Sequence, residues 1–294
     1  MPEVRRLGSS PRLGPLYVRA ALPRLRRSER PDEALRLDGL RLEDVRPEVA
    51  HVAEYARLCG FRLSSWLPVT YPHVLAFPLQ MALMADRRFP FRATGLVHVS
   101  NRIEARRPVP VGRPVDVSVR VTGPHPHPKG RTVDMLTTVN LDGEEAWTSA
   151  STYLRRGGAA AERADGSAPP LDVPADLPTT SVWRLPADLG RRYAAVSGDR
   201  NPIHLSPVTA RLFGFSRPIA HGMWTSAACV AVLEGRLPDR ARYEVEFKAA
   251  VPLPSTVEVG ARLEDDGSAD VVLRSARSGR LHLLGRVTPR SCGR

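Results

Sequence analysis

The sequence predicts an α+β fold in which one unit occurs twice, each unit a curved antiparallel sheet wrapped round a central helix. Three observations carry this reading. The segments "HVLAFPLQMALMAD" (73–86) and "HGMWTSAACVAVLEG" (221–235) are apolar nearly all round, as a helix enclosed by a sheet must be. Each is followed by long strand-like text joined by hairpins rather than crossovers: "GLVHVSNRIEARRPVPVGRPVDVSVRV" in the first half and "RYEVEFKAAVPLPSTVEVGARL" in the second. Features also recur in step: Tyr55 and Gly60 fall opposite Tyr193 and Gly198, Pro110 opposite Pro252, and "VDV" opposite "VEV". A five-stranded sheet curled round one helix, the hotdog arrangement, accounts for this order better than a sandwich or a doubly wound sheet. Two such units in one chain are expected to sit side by side as a pseudo-dimer, so the protein is a double hotdog acting as a monomer or as a homodimer.

Taken in order, residues 1–35 form a basic, Arg- and Pro-rich arm with a short apolar patch, "GPLYVRAALP", expected to be mobile or loosely docked. Residues 36–155 are the first unit. "PEVAHVAEYARLCG" has helical spacing and ends at a glycine, and Pro78 should kink the buried helix after it or push its start downstream. Alternation at Val115, Val117, Val119 and Val121 predicts a strand with one buried face, and Asp142-Gly143 a hairpin turn. Residues 156–180 carry small residues, prolines and charges without an apolar period and read as a linker. Residues 181–294 repeat the order, from the helix "PADLGRRYAAVSG" to a hairpin at Ser278-Gly279.

Composition narrows the function. A chain of 294 residues with 42% hydrophobic content can bury two cores without staples. Cys59, Cys229 and Cys292 share no metal-like or framework spacing and are expected to be reduced thiols, with Cys229 in a core. No apolar run reaches membrane-spanning length and the N-terminus lacks the apolar core of a signal peptide, so a cytoplasmic protein without a membrane partner is expected. Half of the formal net charge of +12 lies in the first thirty residues, and only Lys129 and Lys248 are not arginine among the Lys and Arg residues. No basic helix, zinc finger or aromatic stacking motif accompanies that charge, which speaks against a nucleic-acid partner and for an anionic small-molecule carrier.

The chemistry concentrates in "YAAVSGDRNPIHLSP" (193–207). Gly198 ends a helix, Asn201-Pro202 forces a turned chain, and His204 returns its side chain towards Asp199, so a carboxylate and an imidazole can face each other across a tight loop. Asn201 braces that loop through backbone hydrogen bonds. Without gaps, Phe61 and Trp66 fall opposite Asp199 and His204, so one copy keeps the chemistry while the other keeps the scaffold and lines an apolar channel between the units. His125 and His127 in "GPHPHPKG" have no third ligand near them in sequence, so no metal is expected. Met223, Trp224 and His221 read as packing or capping residues.

The stretch "YAAVSGDRNPIHLSPVTA", with its Gly-Asp-x-Asn-Pro-x-His core, resembles the signature of the MaoC-like or hydratase-2 family, the (R)-specific enoyl-thioester hydratases and dehydratases. The resemblance continues through "ARLFGFSRPIAHGMWTSA". With "LPVTYPHVLAFPLQMALM" in the first half, the double arrangement is similar to actinobacterial 3-hydroxyacyl-thioester dehydratases with two hotdog repeats. It covers most of the chain from about residue 36. It implies that Asp199 and His204 are the catalytic pair, that the backbone N–H of Gly222 serves the thioester carbonyl, with Asn201 beside it among the substrate-binding residues, that no cofactor is needed, and that the substrate is an acyl-CoA or acyl-ACP. Elementary chemistry agrees: losing water from a 3-hydroxyacyl thioester needs an acid/base group on one face, and a donor at a helix start to hold the enolate-like oxygen. Which dyad member takes the proton stays open. A non-catalytic acyl-thioester-binding subunit and a hotdog thioesterase are the alternatives.

Overall fold

The first unit begins with one strand and one helix before the repeated core: β1 (Val4–Leu7), α1 (Leu13–Ala21), β2 (Gly39–Val45), α2 (Val49–Cys59), α3 (Pro72–Ala85), β3 (Leu96–Ala105), β4 (Val115–His127), β5 (Gly130–Leu141) and β6 (Glu144–Arg156). The second contains β7 (Thr179–Leu185), α4 (Leu189–Ser197), α5 (Pro207–Leu212), α6 (Gly222–Ala231), β8 (Ala241–Phe247), β9 (Ser255–Leu263), β10 (Ala269–Ser275) and β11 (Leu281–Pro289). These elements come from a computed structural model that describes residues 3–21, 37–157 and 169–290. The distal part of the basic arm, the residues 158–168 of the expected linker, and Cys292 lie outside the described residues.

The strands form one eleven-stranded sheet in the order β1-β2-β4-β5-β6-β3-β8-β11-β10-β9-β7. Leaving β1 aside, each half reads inwards as its first, third, fourth, fifth and second strand, so the two halves share one topology and meet through their second strands. The architecture is the double hotdog. At the junction, β3 and β8 run antiparallel with Arg102 opposite Glu244 and Glu104 opposite Arg242. Both cross-strand pairs close at 2.6 Å, which favours this register over its neighbours.

Local sequence explains the elements. Val115, Val117, Val119 and Val121 alternate with more exposed neighbours and are buried, giving β4 one core face. Asp142 and Gly143 both take positive φ between β5 and β6, as a two-residue turn matched to strand twist requires. Helices α2 and α4 end at Gly60 and Gly198, each in the left-handed region where glycine carries no steric penalty. Helices α3 and α6 are buried on almost every side within the principal core. Helix α3 starts at Pro72 and continues through Pro78, so the proline does not push its start downstream: enclosure by the sheet outweighs one missing backbone donor.

Two segments do more than their composition implied. The described part of the N-terminal arm is docked rather than loose, since β1 pairs parallel with β2 and Leu7, Leu13, Leu16 and Tyr17 pack on the core. The described end of the expected linker covers the outer face of the second half of the sheet, where Val173 and Leu177 form a small separate core with Val272 and Leu284. That cover explains why five consecutive β10 residues are buried instead of every second one.

Candidate active site

The loop after α4 is pinned at almost every polar backbone group, which gives the side chains it carries fixed positions. The Asp199 N–H donates to Ser197 Oγ at 3.1 Å and the Asn201 N–H donates to Asp199 Oδ1 at 3.1 Å. Asn201 then caps a short 3₁₀ turn, Pro202–His204, by accepting from the Ile203 N–H, which is the bracing role expected of it. The turn brings His204 back over the loop, and its Nδ1 lies 2.7 Å from the Ile219 carbonyl. A carbonyl only accepts, so Nδ1 carries the proton and Nε2 keeps the lone pair. Burial lowers the His204 pKa, opposed by the nearby Asp199 charge, so the ring is a neutral base at pH 7.

His221, a packing or capping residue on sequence grounds, is the N-cap residue of α6 and belongs to the same cluster. Its ring stacks on His204 with centroids 3.6 Å apart, and its Nε2 donates to the Asp199 carbonyl at 2.8 Å while lying 3.8 Å from the Asp199 carboxylate. Burial, then the adjacent His204, push its pKa well down. Ligating atoms of Asp199, His204 and His221 all fall within 4.8 Å of one another. As a metal centre the trio is poor: His221 Nε2 keeps its proton to donate to a backbone carbonyl and so offers no lone pair, and its Nδ1 is sealed from solvent, leaving two ligands where a zinc site needs three or four.

Gly222 is the first residue of α6, so its N–H has no acceptor within the helix. A Cβ there would meet the Phe247 ring at 3.2–3.5 Å, closer than such contacts ordinarily lie, so glycine is what lets α6 start so near β8. Asp199, Asn201, His204, His221 and Gly222 all line one cavity of about 1020 Å³.

The first unit also furnishes part of this cavity, but through residues other than those aligned with the loop. His73 and Phe77 from α3, His98 from β3 and Tyr153 from β6 line it, whereas Phe61 and Trp66 do not. Phe61 is buried against Tyr55, with ring centroids 6.4 Å apart, and Trp66 is half exposed. The gapless alignment fails because Trp66 bridges Pro110 as Ile219 bridges Pro252, making Ile219 the counterpart of Trp66. The second unit thus inserts the 3₁₀ turn and α5 before that point, and His204 has no partner in the first unit. Tyr55 and Tyr193 are true counterparts and meet, centroids 6.2 Å apart, with Tyr193 in turn 4.9 Å from His221. His73 and His98 stack at 6.3 Å and burial lowers their pKa to about 4 and about 3. A lone histidine on a helix or strand carries no pattern, so only their position in space reveals them.

The structure also places the other residues singled out in the sequence. His125 sits 3.6 Å from Asp134 in an ion-pair arrangement, Cys59 and Cys229 are free and buried, and Trp224 donates to the Leu58 carbonyl, tying α6 to α2. Among the described residues no helix is long and apolar enough to cross a membrane.

Comparison with known proteins identifies the family and the fold. A sequence model of the MaoC like domain matches residues 169–276. The chain is 38% identical over 246 residues to 3-hydroxyacyl-thioester dehydratase X of Mycobacterium tuberculosis, covering 84% of this chain and 87% of that one. The crystal structure of that organism's HtdX superposes with a TM-score of 0.76 at 37% identity, over 86% of this chain and all of the other. The (R)-specific enoyl-CoA hydratase of Aeromonas caviae is 33% identical over 90 residues, 28% of this chain and 67% of that protein.

Proposed function

The chain belongs to the MaoC-like dehydratase family, and from that premise we propose that it interconverts (R)-3-hydroxyacyl and trans-2-enoyl thioesters by loss and addition of water. It is a hydro-lyase. The observation that carries the reading is the approach of the Asp199 and His204 donor atoms to within 4.8 Å, in a cavity also lined by the first amide of α6.

In the dehydration direction, His204 Nε2 takes the proton from C2 and the electron pair runs into the thioester carbonyl, whose oxygen accepts a hydrogen bond from the Gly222 N–H. As the pair returns to form the C2–C3 double bond, the C3 hydroxyl leaves with the proton that His204 now carries, as water. The base is restored and every atom is accounted for. Asp199 holds the departing hydroxyl and stabilises the imidazolium, and Asn201 and His221 fix the loop on which it stands. Nothing in this sequence of steps calls for a redox or metal cofactor.

The carrier is an anionic thiol ester, coenzyme A or acyl carrier protein. Lys129, Arg155 and Arg156 line the cavity, and among the described residues no carboxylate pairs with them, so they are the cations available to carrier phosphates. Because both units join through β3 and β8 and both line the cavity, a single chain suffices to complete the site. Cytoplasmic placement fits a carrier-bound substrate.

The test is hydration of crotonyl-CoA and longer enoyl-CoA esters, followed as loss of the conjugated thioester absorbance. Asp199→Asn and His204→Ala should each lower kcat by about 10² or more with the melting temperature unchanged. Turnover equal to wild type in both variants would overturn the assigned pair, and stoichiometric release of free CoA would make the protein a thioesterase.

A further inference from the structure

We propose that Tyr17, on the N-terminal helix α1, is a positioning residue that holds the Asp199 loop in its working geometry; this rests on the reading of Asp199 as a catalytic group. Four polar backbone groups around Asp199 are satisfied from nearby. The Gly198 N–H reaches the Ala194 carbonyl, the Asp199 N–H reaches Ser197 Oγ, the Asp199 carbonyl accepts from His221, and the Asn201 N–H reaches Asp199 Oδ1. Two others, the Gly198 carbonyl and the Arg200 N–H, flank Asp199 on either side and are met by a single distant atom. The Tyr17 hydroxyl donates to the Gly198 carbonyl at 2.8 Å and accepts from the Arg200 N–H at 2.6 Å.

Only a hydroxyl can donate and accept at one atom in this way, so the clamp depends on the side-chain type and not on bulk alone. It is itself fixed: Leu13, Leu16 and Tyr17 pack on the core, and Leu13 approaches Gly198 closely. Burial and the Asp199 charge keep the Tyr17 proton on its oxygen, as the donated hydrogen bond requires. The cavity lining includes Asp199 and Asn201 but not Tyr17, whose hydroxyl is spent on the loop backbone. It also lies outside residues 169–276 matched by the family model, and its segment reads in sequence as a loose basic arm. The N-terminal helix is thereby part of the catalytic machinery of the second unit, more than 180 residues away in sequence.

The experiment uses the full chain with crotonyl-CoA and Tyr17→Phe, which keeps the ring and removes the clamp. Displacing a reacting group by about 1 Å costs up to about a hundredfold, so kcat should fall ten- to hundredfold with KM within about twofold of wild type. Tyr71→Phe removes a comparable hydroxyl, which lies 2.7 Å from His51 Nδ1 in the first unit, and should leave kcat within about twofold, separating a general loss of stability from a loss of positioning. In an Asp199→Asn background Tyr17→Phe should cost nothing further, because both act through one group. The clamp is refuted if Tyr17→Phe keeps wild-type kcat, or if it slows the Asp199→Asn enzyme by the same factor as wild type. Wild-type turnover in Asp199→Asn would instead remove the catalytic role of Asp199 on which the clamp rests, whatever Tyr17→Phe does.

Discussion

Lowering the pH from 7.5 to 5.5 should destabilise the protein through its buried histidines, and His73 permits the effect to be isolated. Burial holds its pKa near 4 in the folded chain, against about 6.5 when unfolded, with the Asp199 charge opposing the shift. Above about pH 7 both states are neutral and the histidine contributes nothing. Below 6.5 the unfolded chain takes up the proton and the folded chain does not, so stability falls as pH falls and stops falling only below about 4. Integrated between pH 7.5 and 5.5, one such group costs about 1.4 kcal/mol. His98, His204 and His221 are shifted in the same direction and add to the wild-type loss. His73→Gln cannot titrate, so urea unfolding at the two pH values should show a loss smaller by about 1.4 kcal/mol than in wild type. Comparing two pH values within each protein cancels whatever the substitution does to packing. Equal pH dependence in the two proteins would mean that His73 is solvated or already charged, and the description of the cavity wall would be wrong.

The neighbouring geometry makes further statements that kinetics can check. Gly222→Ala sets a methyl group against the Phe247 ring at 3.2 Å and should cut kcat at least tenfold by shifting the start of α6; adding Phe247→Leu should restore part of it, and no recovery would count against this steric account. Arg155→Ala with Arg156→Ala should raise KM for enoyl-CoA several-fold and flatten its dependence on salt, while leaving kcat alone; unchanged KM at low ionic strength would remove these arginines from the carrier site.

The repeat was legible because burial imposes periodicity. Alternating valines in β4, two all-apolar helices and helix-ending glycines each obey a local rule that tertiary context did not override. The loop from Gly198 to His204 was legible for the same reason: turn-forming residues sit beside two titratable side chains within a span too short for them to part. The comparison of Trp66 with His204 failed because a gapless alignment cannot see an insertion, and only the bridges at Pro110 and Pro252 fix which residues correspond. His73, His98, His221 and Tyr17 were illegible as site residues, since each stands alone in its segment without a partner near in sequence.

By itself, then, the sequence determined the duplicated α+β unit and the loop that carries Asp199 and His204, all consequences of contacts between residues close along the chain. The tertiary structure alone decided that His73 and His98 of the first unit line the cavity, that His221 stacks on His204, and that the Tyr17 hydroxyl bonds the backbone on both sides of Asp199. Those contacts join residues tens to hundreds of positions apart, and the register that brings them together is set by burying two sheets around two helices, a condition on the whole chain that no short stretch contains.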